Sequence, residues 1–308
     1  MGEVFLLSDI DLPVRGRTYV EPEGPHVAVA RGRDLQNGLA HLAARPDCTG
    51  LCLLGAPDPP ADLSALAGRR LLVADGDPPR VRDFVAAAWK ADAEAEWIHS
   101  ARAPVDRIAE WCLPVAGVVL AAGSSRRMGN QKLLLKVAGK SLVLHAVESA
   151  AEGGCHAVWA VYADAAVAAE LEGRATCLFN PDAETGMASS LRVGLESLPA
   201  WVAGAVVLLG DQPMVGARTV SILLRAWRRE GAKPAVAASY RGAWRPPVLL
   251  DRSLWPELLR LEGDAGARQV LDQRPDLIDT VPARGRADDI DTPEDYARIL
   301  RLPRRDQR

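Results

Sequence analysis

The stretch VAGVVLAAGSSRRMGNQKLL, from Val115 to Leu134, joins an uncharged apolar run to a loop rich in glycine, serine and basic residues. A short apolar run of this kind predicts a strand that is buried on both faces of a parallel sheet. Open α/β sheets bind their ligands at the carboxyl ends of such strands. Glycines, backbone N–H groups and cations between Gly123 and Lys132 therefore predict a phosphate-binding loop.

This loop is neither of the two most familiar phosphate-binding loops. A Walker A loop requires the pattern GxxxxGK[ST]. The segment Gly139-Lys140-Ser141 supplies its ending, but Leu134 stands where the first glycine must be. A dinucleotide-binding loop requires GxGxxG, and Ser125 replaces its second glycine. The loop therefore needs another explanation.

Short apolar runs alternate with helical patterns along most of the chain, which predicts an α/β fold with a mainly parallel sheet. We predict a small α/β module of unknown function over residues 1–113 and a second domain over residues 114–308. In the first part we expect strands over 26–30, 50–55 and 70–74, and helices over 34–44, 61–66, 80–97 and 104–112. In the second part we expect strands over 115–122, 157–162, 175–179, 203–209, 234–240 and 277–281, with helices between them and a last helix from residue 293.

The composition excludes several classes of protein. The 308 residues are 48% hydrophobic and 25% charged, and the net charge is −3, so the chain is globular and has no basic field for nucleic acid. Its uncharged runs are too short to span a bilayer. The N-terminal segment MGEVFLLSDIDLP has no basic flank and does not fit a secretory signal. We expect a cytoplasmic protein without a nucleic-acid or membrane partner.

The cysteines do not form a recognisable metal or disulfide pattern. Their number is odd and no CxxC spacing occurs, so neither a zinc ribbon nor a disulfide framework is indicated. The five histidines are dispersed along the chain. Buried free thiols explain the cysteines most simply; they are Cys48, Cys52, Cys112, Cys155 and Cys177.

Three further segments bring polar groups to the ends of expected elements. Asn180 opens a turn before the segment GMASSL, whose Ser190 and free amides either cap a helix or bind an anion or a base edge. Asp211 in GDQP ends a strand, where its carboxylate suits Mg²⁺ or caps the next helix. In RADDIDTPEDY, the aspartates Asp289 and Asp291 are either solvated or ligands, and Thr292 caps the last helix.

The segment from Leu120 to Leu134 strongly resembles the signature LAAGxSxRMGxxKLL of the nucleotidyltransferase family that includes molybdenum cofactor cytidylyltransferase. The later segments resemble the family's NPxWxxGMSSSLRAGL, GDQP and DIDTPEDY, in the same order. The resemblance covers residues 114–308. It implies a Rossmann-like, three-layer α/β/α nucleotidyltransferase domain.

The resemblance also implies roles for individual residues. Arg127, Lys132 and Asp211 would be catalytic, and Asp211 and Asp291 would bind Mg²⁺, with Mn²⁺ as the alternative metal; Asp289 is the weaker choice of ligand. The residues implied in nucleotide binding are Leu120, Ala121, Ala122, Gly123, Ser124, Lys132, Asn180, Ser190 and Gln212.

The implied reaction is the transfer of CMP from CTP to the phosphate of molybdopterin, with release of pyrophosphate. A molybdenum hydroxylase apoenzyme would be a further partner. Guanylyl transfer from GTP, nucleotidyl transfer to a sugar or polyol phosphate, and a non-catalytic molybdopterin-binding chaperone remain as alternatives. The acceptor stays open because the chain departs from the family pattern at four places, namely Ala183, Ala188, Arg245 and Pro246.

Overall fold

The computed structural model describes most of the C-terminal two thirds of the chain and parts of the N-terminal third. The described residues are 4–6, 26–31, 35–36, 39–40, 48–54, 58–67, 70–74, 78–98, 114–123, 131–199, 202–229 and 232–302. The chain divides into two compact units, Met1–Pro114 and Val115–Arg308. Each unit contains its own sheet.

The first unit is built on a five-stranded sheet in which every pair of neighbours is parallel. Its strands follow one another in sequence order: β1 (Val4–Leu6), β2 (His26–Arg31), β3 (Cys48–Leu54), β4 (Arg70–Ala74) and β5 (Glu94–Ile98). Helix α1 (Pro78–Lys90) connects β4 to β5. Its Phe84 is fully buried and packs with Leu51 and Leu71 of the sheet.

The sequence-based prediction of one long helix over 80–97 is wrong. Helix α1 ends at Lys90, Asp92 takes a left-handed backbone conformation (φ 61°), and β5 then pairs with β4. A positive φ interrupts a right-handed helix. The helix expected over 61–66 is a single 3-10 turn, Ser64–Leu66. The helix expected over 104–112 lies outside the described residues.

The second unit contains a seven-stranded, mainly parallel sheet with the order β10-β9-β6-β11-β13-β12-β14. Strand β13 is antiparallel to both of its neighbours, and the other pairs are parallel. The strands are β6 (Val115–Ala121), β9 (Val158–Tyr162), β10 (Thr176–Phe179), β11 (Gly204–Leu209), β12 (Ala235–Tyr240), β13 (Ala243–Asp251) and β14 (Ile278–Pro282). A separate two-stranded ribbon is formed by β7 (Lys136–Val137) and β8 (Lys140–Ser141).

Helices cover both faces of this sheet. They are α2 (Leu142–Glu152), α3 (Ala165–Glu170), α4 (Met187–Glu196), α5 (Ala217–Trp227), α6 (Trp255–Leu258), α7 (Ala267–Gln273) and α8 (Pro293–Leu300). A Cβ on Gly117 would lie 2.8 Å from Ala150 of α2, and one on Gly194 of α4 would lie 2.6 Å from Val118. Because neighbouring strand residues point to opposite faces, α2 and α4 lie on opposite sides of the sheet. The Rossmann-like α/β/α fold class is therefore confirmed.

Strand β13 was missed by the sequence analysis. It contains Pro246 and Pro247, and proline within an apolar run argues against a central strand because it has no N–H to donate. Both prolines lie where the pairing with β12 is irregular, since the register shifts between Ala237 and Ala238. Within the described residues, no helix is long and apolar enough to cross a membrane.

Candidate active site

The candidate site lies where the parallel strands β6 and β11 end side by side. The backbone N–H of Gly210 donates to the carbonyl oxygen of Leu120 across 3.0 Å. A Cβ at Gly210 would lie only 3.3 Å from that oxygen and 3.5 Å from Cα of Ala121, so glycine allows the two strand ends to approach. The phosphate-loop segment and the GDQP segment thus begin at the same edge of the sheet.

Lys132 connects this edge to two carboxylates. It begins the 3-10 turn Lys132–Leu134 and is only 8% exposed. Its Nζ donates to Oδ2 of Asp211 and to Oδ1 of Asp291, in both cases across 2.7 Å. Burial acts to lower the pKa of Lys132, but the charges and hydrogen bonds of Asp211 and Asp291 outweigh burial and raise it. The ammonium therefore stays charged at neutral pH.

Asp291 is brought to Asp211 by the chain around it. The N–H of Ile290 donates to the carbonyl oxygen of Asp211 across 3.2 Å, and the side chain of Ile290 is fully buried. Thr292 then caps helix α8 in a capping box with Asp295. Asp291 is thus held between a backbone link to Asp211 and the first turn of a helix.

Asp289 is a third carboxylate of the site. Its Oδ1 accepts a hydrogen bond from Nε2 of Gln212 across 2.7 Å. Burial raises the pKa of Asp289, and the negative charges of Asp211 and Asp291 act in the same direction. Gln212 is only 3% exposed, and its buried Oε1 has no hydrogen-bond partner within the described chain.

The charged side chains at this edge of the sheet carry more negative than positive charge. Asp211, Asp289 and Asp291 outweigh the single charge of Lys132 when all are ionised. Within the described residues, no three His, Cys, Asp or Glu side chains could hold a metal ion together. Mg²⁺ is usually bound by one or two carboxylates and completed by phosphate oxygens and water. The pair Asp211 and Asp291 matches that smaller donor set.

Asn180 and Ser190, both expected at the nucleotide, form a hydrogen-bonded turn at the start of α4. Asn180 is 1% exposed, and its Nδ2 donates to Oγ of Ser189 and of Ser190, both across 2.9 Å. Its Oδ1 accepts from the N–H of Asp182 across 3.0 Å. These contacts use both amide protons of Asn180 inside the protein. Its role at a nucleotide remains a prediction.

The remaining site residues lie at the end of β6 or directly after it. Leu120 is half-buried, Ala121 and Ala122 are buried, and Gly123 is exposed at the strand end. Ala122 belongs to the apolar cluster that also contains Leu191 and Leu195 of α4. Ser124 and Arg127 lie outside the described residues. Their predicted roles therefore have no geometry attached to them.

The positions that depart from the family pattern lie in two separate segments. Ala183 begins the 3-10 turn Ala183–Thr185, which leads to Gly186. Gly186 has a φ of 122°, and a Cβ there would lie 2.2 Å from the carbonyl carbon of Gly263. Ala188 is buried in the first turn of α4, whereas Arg245 is exposed and Pro246 is half-buried on β13.

Comparison with known proteins identifies relatives of the second unit. The model of the MobA-like NTP transferase domain family matches residues 117–278. The chain is 35% identical over 199 residues to nicotine blue oxidoreductase of Paenarthrobacter nicotinovorans, covering 60% of this chain and 96% of that protein. It is 30% identical over 199 residues to the purine catabolism protein PucB of Bacillus subtilis, covering 60% of this chain and 95% of the relative.

Two solved structures of one mycobacterial protein also resemble this chain. Rv0371c of Mycobacterium tuberculosis superimposes with a TM-score of 0.55 at 26% identity, covering 62% of this chain and all of that one (100%). A structure of the same protein in complex with manganese gives a TM-score of 0.53 at 26% identity, and covers 61% of this chain and 98% of that one. Divalent metal binding therefore occurs among proteins of this fold and sequence similarity.

Proposed function

The chain belongs to the MobA-like NTP transferase domain family, and on that premise we propose that it transfers CMP from CTP to the phosphate of molybdopterin. One observation carries the nucleotidyl-transfer part of this proposal. The ammonium of Lys132, the last residue of the glycine-rich loop, lies 2.7 Å from both Asp211 and Asp291 at the edge where β6 and β11 end. This arrangement offers a cation and a pair of metal-ligand carboxylates to the phosphates of one nucleotide.

Nucleotidyl transfer requires positioning and charge neutralisation more than covalent chemistry from the protein. An acceptor phosphate oxygen attacks the α-phosphorus, the bond to the bridging oxygen breaks, and pyrophosphate leaves. Lys132 would stabilise negative charge on the phosphates, and Arg127 and Ser124 would act with it from the loop. These residue roles are part of the proposal.

Asp211 and Asp291 would hold Mg²⁺, or Mn²⁺ in its place. The bound ion would supply charge neutralisation at the phosphate oxygens. The manganese complex of Rv0371c supports the use of a divalent ion in this family. Asp289, which is held by Gln212, adds negative charge to the same region without being needed as a direct ligand.

The choice of CTP and molybdopterin rests on the LAAG and GDQP segments, which resemble the cytidylyl-transferring branch of the family. Gln212 of GDQP places an unpaired amide oxygen next to the proposed metal ligands, where it could accept a hydrogen bond from a base or a ribose. The two curated relatives carry names from different areas of metabolism, so their names do not decide the acceptor. Guanylyl transfer, transfer to a sugar or polyol phosphate, and a non-catalytic chaperone remain the alternatives.

The decisive experiment measures pyrophosphate release by the full chain with each of the four ribonucleoside triphosphates, molybdopterin and Mg²⁺ or Mn²⁺. We expect release that depends on molybdopterin, with CTP preferred over GTP by at least about tenfold in kcat/KM. Equal or faster use of GTP would change the proposal to guanylyl transfer. Release that requires a sugar phosphate instead would change the acceptor. Binding of molybdopterin without release from any triphosphate would indicate the chaperone.

A further inference from the structure

Gln131, the residue before Lys132, is fixed by two side-chain hydrogen bonds. Its Oε1 accepts from the N–H of Leu133 across 3.4 Å, so it caps the 3-10 turn that carries Lys132. Its Nε2 donates to Oδ2 of Asp164 across 3.0 Å. The second contact joins two segments that are 33 residues apart in the chain. Both segments follow parallel strands of the same sheet.

Asp164 is itself anchored. It follows β9, and its Oδ1 accepts from the N–H of Ala166, which caps α3. The hydrogen bond from Gln131 is the largest cause that lowers the pKa of Asp164, so this carboxylate is charged at neutral pH. A charged acceptor strengthens the hydrogen bond from the Gln131 amide. Gln131 is thus tied to a helix start that does not belong to the phosphate loop.

We propose that Gln131 and Asp164 form a clamp that positions the ammonium of Lys132 between Asp211 and Asp291. A lysine side chain has many rotamers, and the carboxylates fix its end without fixing the backbone that carries it. The clamp fixes that backbone one residue away, at the point where the glycine-rich loop ends. Position 131 is a variable position of the LAAGxSxRMGxxKLL signature, so the family resemblance does not assign it a role.

The kinetic consequence of the clamp rests on the proposed function, whereas its effect on Lys132 does not.

Two variants remove the hydrogen bond between Gln131 and Asp164, one by changing the donor and one by changing the acceptor. Gln131→Glu keeps an oxygen for the N–H of Leu133 but removes the donor to Asp164. Asp164→Ser keeps a cap for α3, because serine is a good N-cap, but its side chain is too short to reach Gln131. Gln273→Ala, in the exposed last turn of α7, is the control.

The first measurement is the rate at which each lysine is acetylated in the full chain without nucleotide, read by peptide mass spectrometry. The chain has five lysines, so each site is followed separately. We expect Lys132 to react about fivefold faster in Gln131→Glu and in Asp164→Ser than in the unmodified protein or the control. The exposed Lys90 and Lys136 should react equally in all four proteins. Nζ of Lys233 donates to the carbonyl oxygens of Pro275 and Ile278, and faster acetylation of Lys233 as well would mean general loosening and would overturn the clamp.

The second measurement is kcat and KM for the triphosphate, together with the melting temperature. We expect each variant to lose about fivefold in kcat/KM at an unchanged melting temperature, and the double variant to be no worse than either single one. Unchanged Lys132 acetylation in both single variants would overturn the clamp, whatever the kinetics. Faster Lys132 acetylation in a chain that releases no pyrophosphate would keep the clamp and reject the proposed function.

Discussion

At the scale of single residues, the candidate site depends on a balance of charge around Lys132. This side chain is buried, and its ammonium donates hydrogen bonds to carboxylate oxygens of Asp211 and Asp291. A buried ammonium needs such partners because desolvation otherwise disfavours its charge. The same carboxylates are the proposed metal ligands. Replacing either of them therefore changes both the metal site and the environment of Lys132.

We expect Asp211→Asn to lower kcat by about 10²-fold or more, which corresponds to about 2.7 kcal/mol of lost transition-state stabilisation. Folding should survive, because an amide of the same shape still accepts a hydrogen bond from Lys132 and the backbone link to Ile290 is unaffected. The measurement is pyrophosphate release at saturating Mg²⁺, with the exposed Asp276→Asn as the control. Turnover close to that of the control would reject Asp211 as a metal ligand.

Cys155 gives a prediction about pH. Burial raises the pKa of its thiol to about 12 from an ordinary value of 9.0, and the charge of Arg228 acts in the opposite direction. Above about pH 9 the unfolded chain loses this proton and the native state keeps it. The free energy of unfolding should therefore fall with rising pH between about 9 and 12, by about 1.4 kcal/mol per pH unit from this group. Cys155→Ala should remove that part of the slope in denaturant titrations.

The control for this prediction is the reactivity of the same thiol. Iodoacetamide should leave Cys155 unmodified in the native protein at pH 8 and should modify it in denaturant, because the thiolate is the reactive form. Cys177 is only partly buried and serves as the comparison. Equal modification of the two thiols in the native protein would contradict the assignment of Cys155 to the core.

Part of the residue-scale site could be predicted from the sequence, and part could not. Lys132, Asp211 and Asp291 each stood in a short segment with recognisable chemistry, and the structure brings the three together. The contact between Gln212 and Asp289 spans 77 residues, so no local pattern could indicate it. The internal hydrogen bonds of Asn180 were missed for a similar reason, since they depend on how its turn packs on α4.

At the scale of secondary-structure elements, helix α8 holds part of the site. Thr292 accepts from the N–H of Asp295 through its side chain, and the Asp295 carboxylate accepts from the backbone N–H of Thr292. The same carboxylate also accepts from the N–H of Asp291 across 3.3 Å. The capping box therefore orders the backbone that carries a proposed metal ligand.

We expect Thr292→Ala to lower the free energy of unfolding by about 1 kcal/mol, because the N-cap hydroxyl is lost. The variant should also raise the Mg²⁺ concentration needed for half-maximal pyrophosphate release, since Asp291 is less well ordered. Thr292→Ser keeps the hydroxyl and is the matched control. A Thr292→Ala protein with the stability and the Mg²⁺ requirement of the serine variant would show that α8 does not order the site.

Strands were predicted correctly from the sequence where an apolar run and the polar turn after it indicated the same boundary. Strands β6, β9 and β11 are short apolar runs followed by polar turns, and each is found within a residue or two of its expected place. It did not work at β5, because residues 80–97 are rich in helix-forming alanine and the break at Asp92 depends on one backbone angle. Tertiary pairing with β4 overrides the local propensity there.

At the scale of the whole molecule, each unit has a core of its own. The apolar cluster of the first unit includes Leu51, Leu71 and Phe84. The main cluster of the second unit joins residues of β6, β11 and β13 with helices α4, α6 and α7. The family model lies entirely within the second unit, and the curated relatives are matched over nearly their full length by about three fifths of this chain. These observations support an autonomous second domain.

We therefore expect a fragment that begins near residue 112 and ends at residue 308 to fold and to bind CTP as the full chain does. Every strand of the seven-stranded sheet, Lys132 and all three carboxylates of the site lie within it. The measurements are thermal unfolding and calorimetric titration with CTP and Mg²⁺, with the same fragment carrying Asp211→Asn as the control for site-specific binding. A single cooperative transition and a Kd within about threefold of the full-chain value, a difference of about 0.7 kcal/mol, are the expected results. An insoluble fragment, or one that fails to bind CTP when the full chain binds it, would show that residues 1–113 are needed by the transferase domain.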